Sequence, residues 1–302
     1  MIERSEDVGY NGLLIDMDGI LQAYGSPIAG AADFINTLYA ERVPFAVITN
    51  ECRLTNQQLS DKLLDLMGVV IPPGLIYTAA NSVAHYLRRW TNGRRLRVLV
   101  VGENGLLTAV AAVAEVVAAD AADLSVVDYV VIGARFVDDT RAVESALAAV
   151  RLGAKMLYTC PDIYEIDGQG RLRLGMPLPA VQMIASVTGA SGFCAGKPNA
   201  NMARQGLHLI GLLHDADAKV LFVGDSLDTD VRLATENGLD SALVLSAGPV
   251  SRAKLDNSCF RPDFVFNSVA DFAQTLPTLL QVNKGGFTAS TLAGSPNLLA
   301  NQ

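Results

Sequence analysis

Short runs of Val, Ile and Leu alternate along this chain with longer stretches of helical period. The runs are "GLLIDMD", "PFAVITN", "RVLVVG", "YVVIGA", "KMLYTC", "KVLFVGD" and "SALVLS". Between them, Gly30 to Glu41, Thr55 to Met67, Arg141 to Leu152, Ala200 to Leu212 and Asp230 to Asn237 carry apolar residues at helical spacing. Strands that are apolar throughout are buried on both faces, and parallel neighbours need a crossover that a helix supplies. The pattern therefore predicts an α/β protein with a doubly wound parallel sheet of Rossmann-like type. In such sheets, ligands bind at the C-terminal ends of the strands, near the point where strand order reverses.

The middle of the chain reads as a unit of its own. From about Thr78 to about Ala185 it holds its own strands and helices, with "QGRLRLG" marking a turn. The expected division is 1–79 for the first half of a core, 80–186 for an inserted α/β cap domain, and 187–283 for the second half. The remaining residues, 284–302, are rich in Gly, Ser and Thr and read as a flexible tail. The Ala-rich stretch "LLTAVAAVAEVVAADAADL", interrupted by Glu115 and Asp120, reads as a packed helix. It would either cover the cap's own sheet or offer a homodimer surface.

Composition removes several classes of function. The 302 residues carry a formal charge of -8 with no long Lys/Arg run, which speaks against a nucleic-acid partner. No apolar run approaches the ~20 residues of a membrane span, and "MIERSEDVGYNG" has acids where a signal peptide starts basic. No membrane partner and a cytoplasmic location are expected. Cys52, Cys160, Cys194 and Cys259 form no CxxC pair and read as reduced thiols, and three histidines show no ligand spacing.

Four strand ends carry the candidate chemistry. In "DMDG", Asp16 can attack an electrophile and Asp18 can move protons, while Gly19 lets backbone N–H groups approach an anion. In "VITN", Thr49 and Asn50 can bind a phosphoryl oxygen, although taken alone a helix cap is the better explanation of the pair. In "AGKPNANM", Lys197 can neutralise both a phosphate and a carboxylate, although it lacks the spacing of a Walker A lysine. In "VGDSLDTDV", Asp225 with Asp228 and Asp230 offers hard oxygen ligands suited to magnesium. Acids in a helix's first turn explain Asp228 as well.

Taken in this order, with "TNECRLT", "VVGENGL", "CPDIY" and "GKPNANM", the motifs resemble the haloacid dehalogenase superfamily, in its NagD-like, p-nitrophenyl-phosphatase-like branch with a C2-type cap. The resemblance spans roughly Gly12 to Leu280. It implies a Mg2+-dependent phosphatase acting on small phosphorylated metabolites through an aspartyl phosphate. Asp16 would be the nucleophile and Asp18 the acid and base. Thr49 and Lys197 would hold the phosphoryl group, and Gly19 and Asn50 would help to position it. Mg2+ would be held by Asp16, the Asp18 carbonyl and Asp225, with Asp230 behind them holding metal waters or Lys197. Homodimers are common in such a group, and a homodimer through the cap is implied. Two departures bear on substrate. Glu51 stands where relatives often have Asn; pointing inward it would disfavour phosphate, and pointing outward it would be neutral. Cys160 precedes Pro161 and Asp162, where relatives read "NPD", in the segment that contacts the leaving group. The alternatives are a metal-free dehalogenase, against which Asp18, Asp225 and Asp230 argue, and a non-catalytic phosphometabolite-binding protein that keeps the fold. A phosphoacceptor receiver domain is much shorter and has no insertion.

Overall fold

The computed structural model describes residues 9–91, 93–135, 140–167, 169, 171–245 and 252–280. The tail and most of the acidic N-terminal stretch lie outside the described residues. The first sheet has six strands in the order Phe264–Phe266, Asp240–Val244, Val220–Gly224, Gly12–Ile15, Phe45–Thr49 and Ile76–Thr78. Every pairing is parallel. Strand order reverses beside Gly12–Ile15, which pairs with Val220–Gly224 on one side and Phe45–Thr49 on the other.

Successive side chains of a strand point to opposite faces, so each strand feeds two cores. Leu13, Ile15, Val47, Leu221 and Val223 pack with Phe34 and Phe272 on one face. Leu14, Ala46, Ile48 and Phe222 pack with Met202 and Leu233 on the other. Leu13, Leu14 and Ile15 are fully buried, each contributing about 1.5–3 kcal/mol. That double burial is why the strands read as unbroken apolar runs.

The second sheet has five strands in the order Gly192–Cys194, Lys155–Tyr158, Tyr129–Ile132, Arg97–Val101 and Glu115–Val117, again all parallel. Helices Ala79–Arg89 and Asn104–Ala111 cover one face and Thr140–Arg151 and Pro177–Thr188 the other. A capping box at Thr78 and Asn81 starts the helix Ala79–Arg89 on the last residue of a strand of the first sheet. The chain passes into the second unit there and returns after Cys194. The fold is thus a doubly wound core carrying an inserted α/β unit.

Two expectations differ from what is observed. The Ala-rich stretch is not one helix: helix Asn104–Ala111 ends, and Glu115–Val117 is an edge strand. Consecutive β-branched Val116 and Val117 favour an extended chain, and Arg97 fixes the register through an ion pair with Glu115 at 3.1 Å. The chain also stays with the second sheet beyond 186, because Gly192–Cys194 pairs with Lys155–Tyr158 there. Among the described residues no helix is long and apolar enough to cross a membrane.

Candidate active site

The reversal of strand order places the ends of Gly12–Ile15, Phe45–Thr49 and Val220–Gly224 side by side. Asp16 follows the first, Thr49 ends the second and Asp225 follows the third. Residues 209 positions apart in sequence therefore share one edge. The Asp16 N–H still donates to the Val223 carbonyl at 2.8 Å, so the nucleophile candidate is fixed by the sheet ladder.

Lys197 sits at the centre of the cluster. Its Nζ lies 2.6 Å from Asp16 Oδ1 and 2.8 Å from Asp230 Oδ1, and all three residues are buried. Burial alone would discharge the ammonium. The two carboxylates outweigh it and hold the lysine charged, above its ordinary range. Asp230 anchors the far side: its Oδ2 accepts from the N–H groups of Asp225 at 3.2 Å and Ser226 at 3.1 Å. Gly224 is required for this approach, since a Cβ there would lie 2.4 Å from Asp230 Oδ2.

Carboxylate oxygens of Asp16, Asp225 and Asp230 all lie within 4.8 Å of one another. Burial and the Asp230 charge push Asp16 well above the usual carboxylate range, against the opposing pull of Lys197. Burial and Asp230 likewise push Asp225 up to about 8. One lysine does not neutralise three acids, and the set suits a hard divalent cation. The cluster includes Asp230, expected behind the metal, alongside the expected Asp16 and Asp225.

Asp18 lies outside this knot and is solvent-exposed. Its Oδ1 accepts from Gln22 Nε2 at 2.9 Å, inside a tight turn closed by Leu21 N–H to the Met17 carbonyl. Protein crowding and then the Glu51 charge raise its carboxyl to about 6. Gly19 makes the turn, with φ of 85°, and its backbone presses against Asp225, where a Cβ would lie 2.0 Å from Oδ2. Gln22 was not anticipated, because nothing in "GILQA" marks a residue that folds back over four positions.

The Thr49 hydroxyl accepts the Glu51 N–H at 3.0 Å and is buried beneath the loop. Asn50 grips Lys197 at two points: its Oδ1 accepts the Lys197 N–H at 2.7 Å, and its Nδ2 donates to the Lys197 carbonyl at 3.3 Å. Its amide is thereby spent on the lysine's main chain. Gly196 permits the clamp, since a Cβ there would lie 1.9 Å from the Thr159 carbonyl oxygen.

Glu51 turns inward, but its charge is answered. Arg53 donates from Nε and Nη2 to both carboxylate oxygens, and the N–H groups of Cys52 and Arg53 add bonds of 2.9 and 2.6 Å. Burial would raise this carboxyl; Arg53 holds it below the ordinary range instead. Arg53 also reaches Glu165 of the second unit at 3.5 Å. An acid and an arginine two apart in "ECR" were the available signal for this pair; Glu165, 112 positions away, had none.

Replacing Arg53 by Met strands the Glu51 carboxylate, and unfolding by denaturant is expected to show a loss of about 3 kcal/mol. An unchanged midpoint contradicts the pairing.

From the second unit, Asp162 approaches the cluster, half-buried after buried Cys160 and half-buried Pro161. Burial raises the Asp162 carboxyl, with Cys160 and Lys197 opposing and Asp230 adding. The same loop touches the core through Cys52 Sγ, 3.5 Å from Thr159 Oγ1.

Comparison with known proteins agrees with this arrangement. A family model described as haloacid dehalogenase-like hydrolase matches residues 13–114, and a related HAD-hydrolase-like model matches residues 194–272. The dihydroxyacetone phosphatase of Corynebacterium glutamicum is 35% identical over 260 residues, 86% of this chain and 90% of that protein. The ribonucleotide monophosphatase NagD of Escherichia coli K12 is 29% identical over 259 residues, 86% of this chain and 96% of its own length. The crystal structure of glycerol phosphate phosphatase Rv1692 of Mycobacterium tuberculosis, in complex with calcium, superposes with a TM-score of 0.75 at 27% identity. That alignment covers 90% of this chain and 75% of that one. With the motifs in order on one sheet edge and this similarity along most of its length, the chain belongs to the haloacid dehalogenase-like hydrolase family, in its NagD-like group.

Proposed function

We propose that the protein is a Mg2+-dependent phosphatase for small organic phosphomonoesters, working through an aspartyl phosphate at Asp16. One observation carries the reading: a buried lysine bridges Asp16 and Asp230, with Asp225 beside them, at the switch point of the sheet. Relatives with phosphatase names support it. Asp16, Asp225 and Asp230 are the side chains that would hold the cation, which would screen a dianionic phosphate from the acids. The calcium complex of the glycerol phosphate phosphatase fits such a site.

The residues divide the work. Asp16, fixed by its backbone bond to Val223, forms a bond to phosphorus as the phosphorus–oxygen bond to the leaving alcohol breaks. Asp18 donates its proton to the departing oxygen. With a carboxyl raised to about 6, it gives and regains a proton near neutrality. It then takes a proton from water, which attacks phosphorus and releases Asp16 as a carboxylate. Lys197 and the Thr49 hydroxyl hold the phosphoryl oxygens, and Asn50 holds Lys197. The five-stranded unit acts as the cap. Its Asp162 and Pro161 face the leaving group, and closure excludes bulk water.

Phosphate release from a panel tests this: dihydroxyacetone phosphate, glycerol phosphate, ribonucleoside monophosphates and p-nitrophenyl phosphate, with and without magnesium. Turnover of at least one, lost on chelation, is expected. Folded, magnesium-loaded protein that releases no phosphate from any of them refutes it.

The raised acids make the metal requirement pH-dependent. Asp16 and Asp225 hold protons that a cation must displace. The magnesium concentration for half-maximal activity should fall by about tenfold per pH unit for each proton displaced, from pH 6 to 8. The metal-free protein should behave oppositely in stability. A folded-state pKa raised above the unfolded value gives stability that is full at low pH and lost as pH rises towards about 8. A magnesium requirement flat in pH contradicts this electrostatic account.

A further inference from the structure

A cavity of about 210 Å³ lies where the chain crosses between the two units, lined from both the outgoing helix and the returning strand. Three aromatic rings line one side. Tyr86 and Phe193 sit 4.9 Å apart at 31°, and Tyr86 and Trp90 sit 6.1 Å apart at 42°. Trp90 is 49% exposed and Phe193 43% exposed, so broad ring faces stand open to an occupant. Arg89 and His85 form the rim, and Ser82 and Asn201 the floor. No acidic side chain lines the cavity, in a chain whose net charge is -8. Arg88 stands beside Arg89 at the end of helix Ala79–Arg89; both are exposed, and neither is ion-paired among the described residues. Nearby Arg94 and Arg97, by contrast, are paired with Asp128 and Glu115.

Open aromatic faces next to unneutralised arginines select a planar ring that carries an anionic group. Stacking supplies the first contact and a guanidinium fork the second. His85 supports this, since burial and then the two arginines lower its pKa and leave a neutral imidazole able to bond a ring edge. The cavity accepts one ring, and phosphates would project outward onto Arg88 and Arg89. The acidic surface elsewhere disfavours a polyanion such as RNA.

We propose that this cavity is a binding site for a nucleotide, separate from the phosphoryl site, with the base on Trp90, Phe193 and Tyr86 and the phosphates on Arg88 and Arg89. None of Asp16, Asp18, Thr49, Lys197, Asp225 or Asp230 lines it. Both chain crossings do. Ser82 donates to the Ala195 carbonyl at 2.7 Å, and Asn201 donates to Ser82 at 3.2 Å, joining the outgoing helix, the returning strand and the core helix Ala200–Leu209. An occupant would therefore touch both chain crossings and the core helix, and would favour whichever arrangement of the two units it fits better. The proposal does not depend on which phosphomonoester the acid cluster hydrolyses.

The chain has a single tryptophan, Trp90, so its fluorescence reports this cavity alone. ADP titrated into the full-length, magnesium-loaded protein should quench it saturably, while adenosine and inorganic phosphate given singly should bind far more weakly. The double variant R88Q/R89Q should raise the half-saturating ADP concentration at least about tenfold, and Phe193→Ala should raise it too, with KM for p-nitrophenyl phosphate unchanged in both. Quenching that never saturates, or that both variants leave intact, overturns the proposal. So does quenching that tracks competitive inhibition of p-nitrophenyl phosphate turnover, which would place ADP in the catalytic site.

Discussion

Asp16→Asn is expected to lower kcat on any accepted phosphomonoester by at least about 10³-fold while making the metal-free protein more stable. The two effects share one cause. Asp16 is buried against Asp230 and Asp225, and its carboxyl is raised well above the usual range even with Lys197 in contact. At neutral pH its ionisation therefore costs folding free energy. An amide of the same shape removes that cost and keeps the Met17 N–H bond, which Oδ1 accepts at 2.7 Å. It also removes the nucleophile, because an amide does not form the acyl phosphate. Thermal melts in the presence of chelator should show a rise of a few degrees, and with excess magnesium the order should reverse. A variant that is both inactive and unstable without metal would mean that Asp16 is a structural partner of Lys197 first.

Lys197→Met should do the reverse to stability. Removing the ammonium leaves Asp16 and Asp230 facing each other without the charge that held them, both buried. Breaking a buried ion pair from one side costs about 3–5 kcal/mol. Asn50 then clamps a backbone that no longer carries its functional group. Turnover should fall by at least about 10³-fold together with the melting temperature. Magnesium should recover part of the stability and none of the turnover, because a cation held among the acids would not replace the ammonium proposed to hold the phosphoryl group. Recovery of turnover by magnesium alone would remove Lys197 from the phosphate site.

What the sequence made legible follows from how locally each feature is encoded. Strands buried on both faces announce themselves as apolar runs, and the core strands Gly12–Ile15, Phe45–Thr49 and Val220–Gly224 were readable for that reason. Asp16, Thr49, Lys197 and Asp225 stand at or beside sheet ends within short motifs, so their meeting could be anticipated from the switch-point rule. Gly192–Cys194 was not readable: three residues with Phe193 half in solvent give no apolar run. Glu115–Val117 was hidden in an Ala-rich stretch whose helix ends early. The neutralisation of Glu51 depended on Arg53 turning back within one loop, and the further reach of Arg53 to Glu165 on a hairpin of the other unit, a geometry that spacing does not encode. Asp230, expected from the resemblance to hold metal waters or Lys197, pairs with Lys197 at 2.8 Å, and its carboxylate also lies within 4.8 Å of those of Asp16 and Asp225.

The most direct test of Asp16 as nucleophile is a burst measurement on Asp18→Asn with p-nitrophenyl phosphate. Nitrophenolate leaves without a proton, so the first step needs no acid, while hydrolysis of the intermediate still needs Asp18 as base. One equivalent of nitrophenolate per protein should appear rapidly, followed by slow turnover. Acid quenching and borohydride reduction should then give homoserine at position 16. No burst from folded, magnesium-loaded protein, or modification at a residue other than Asp16, would contradict the account.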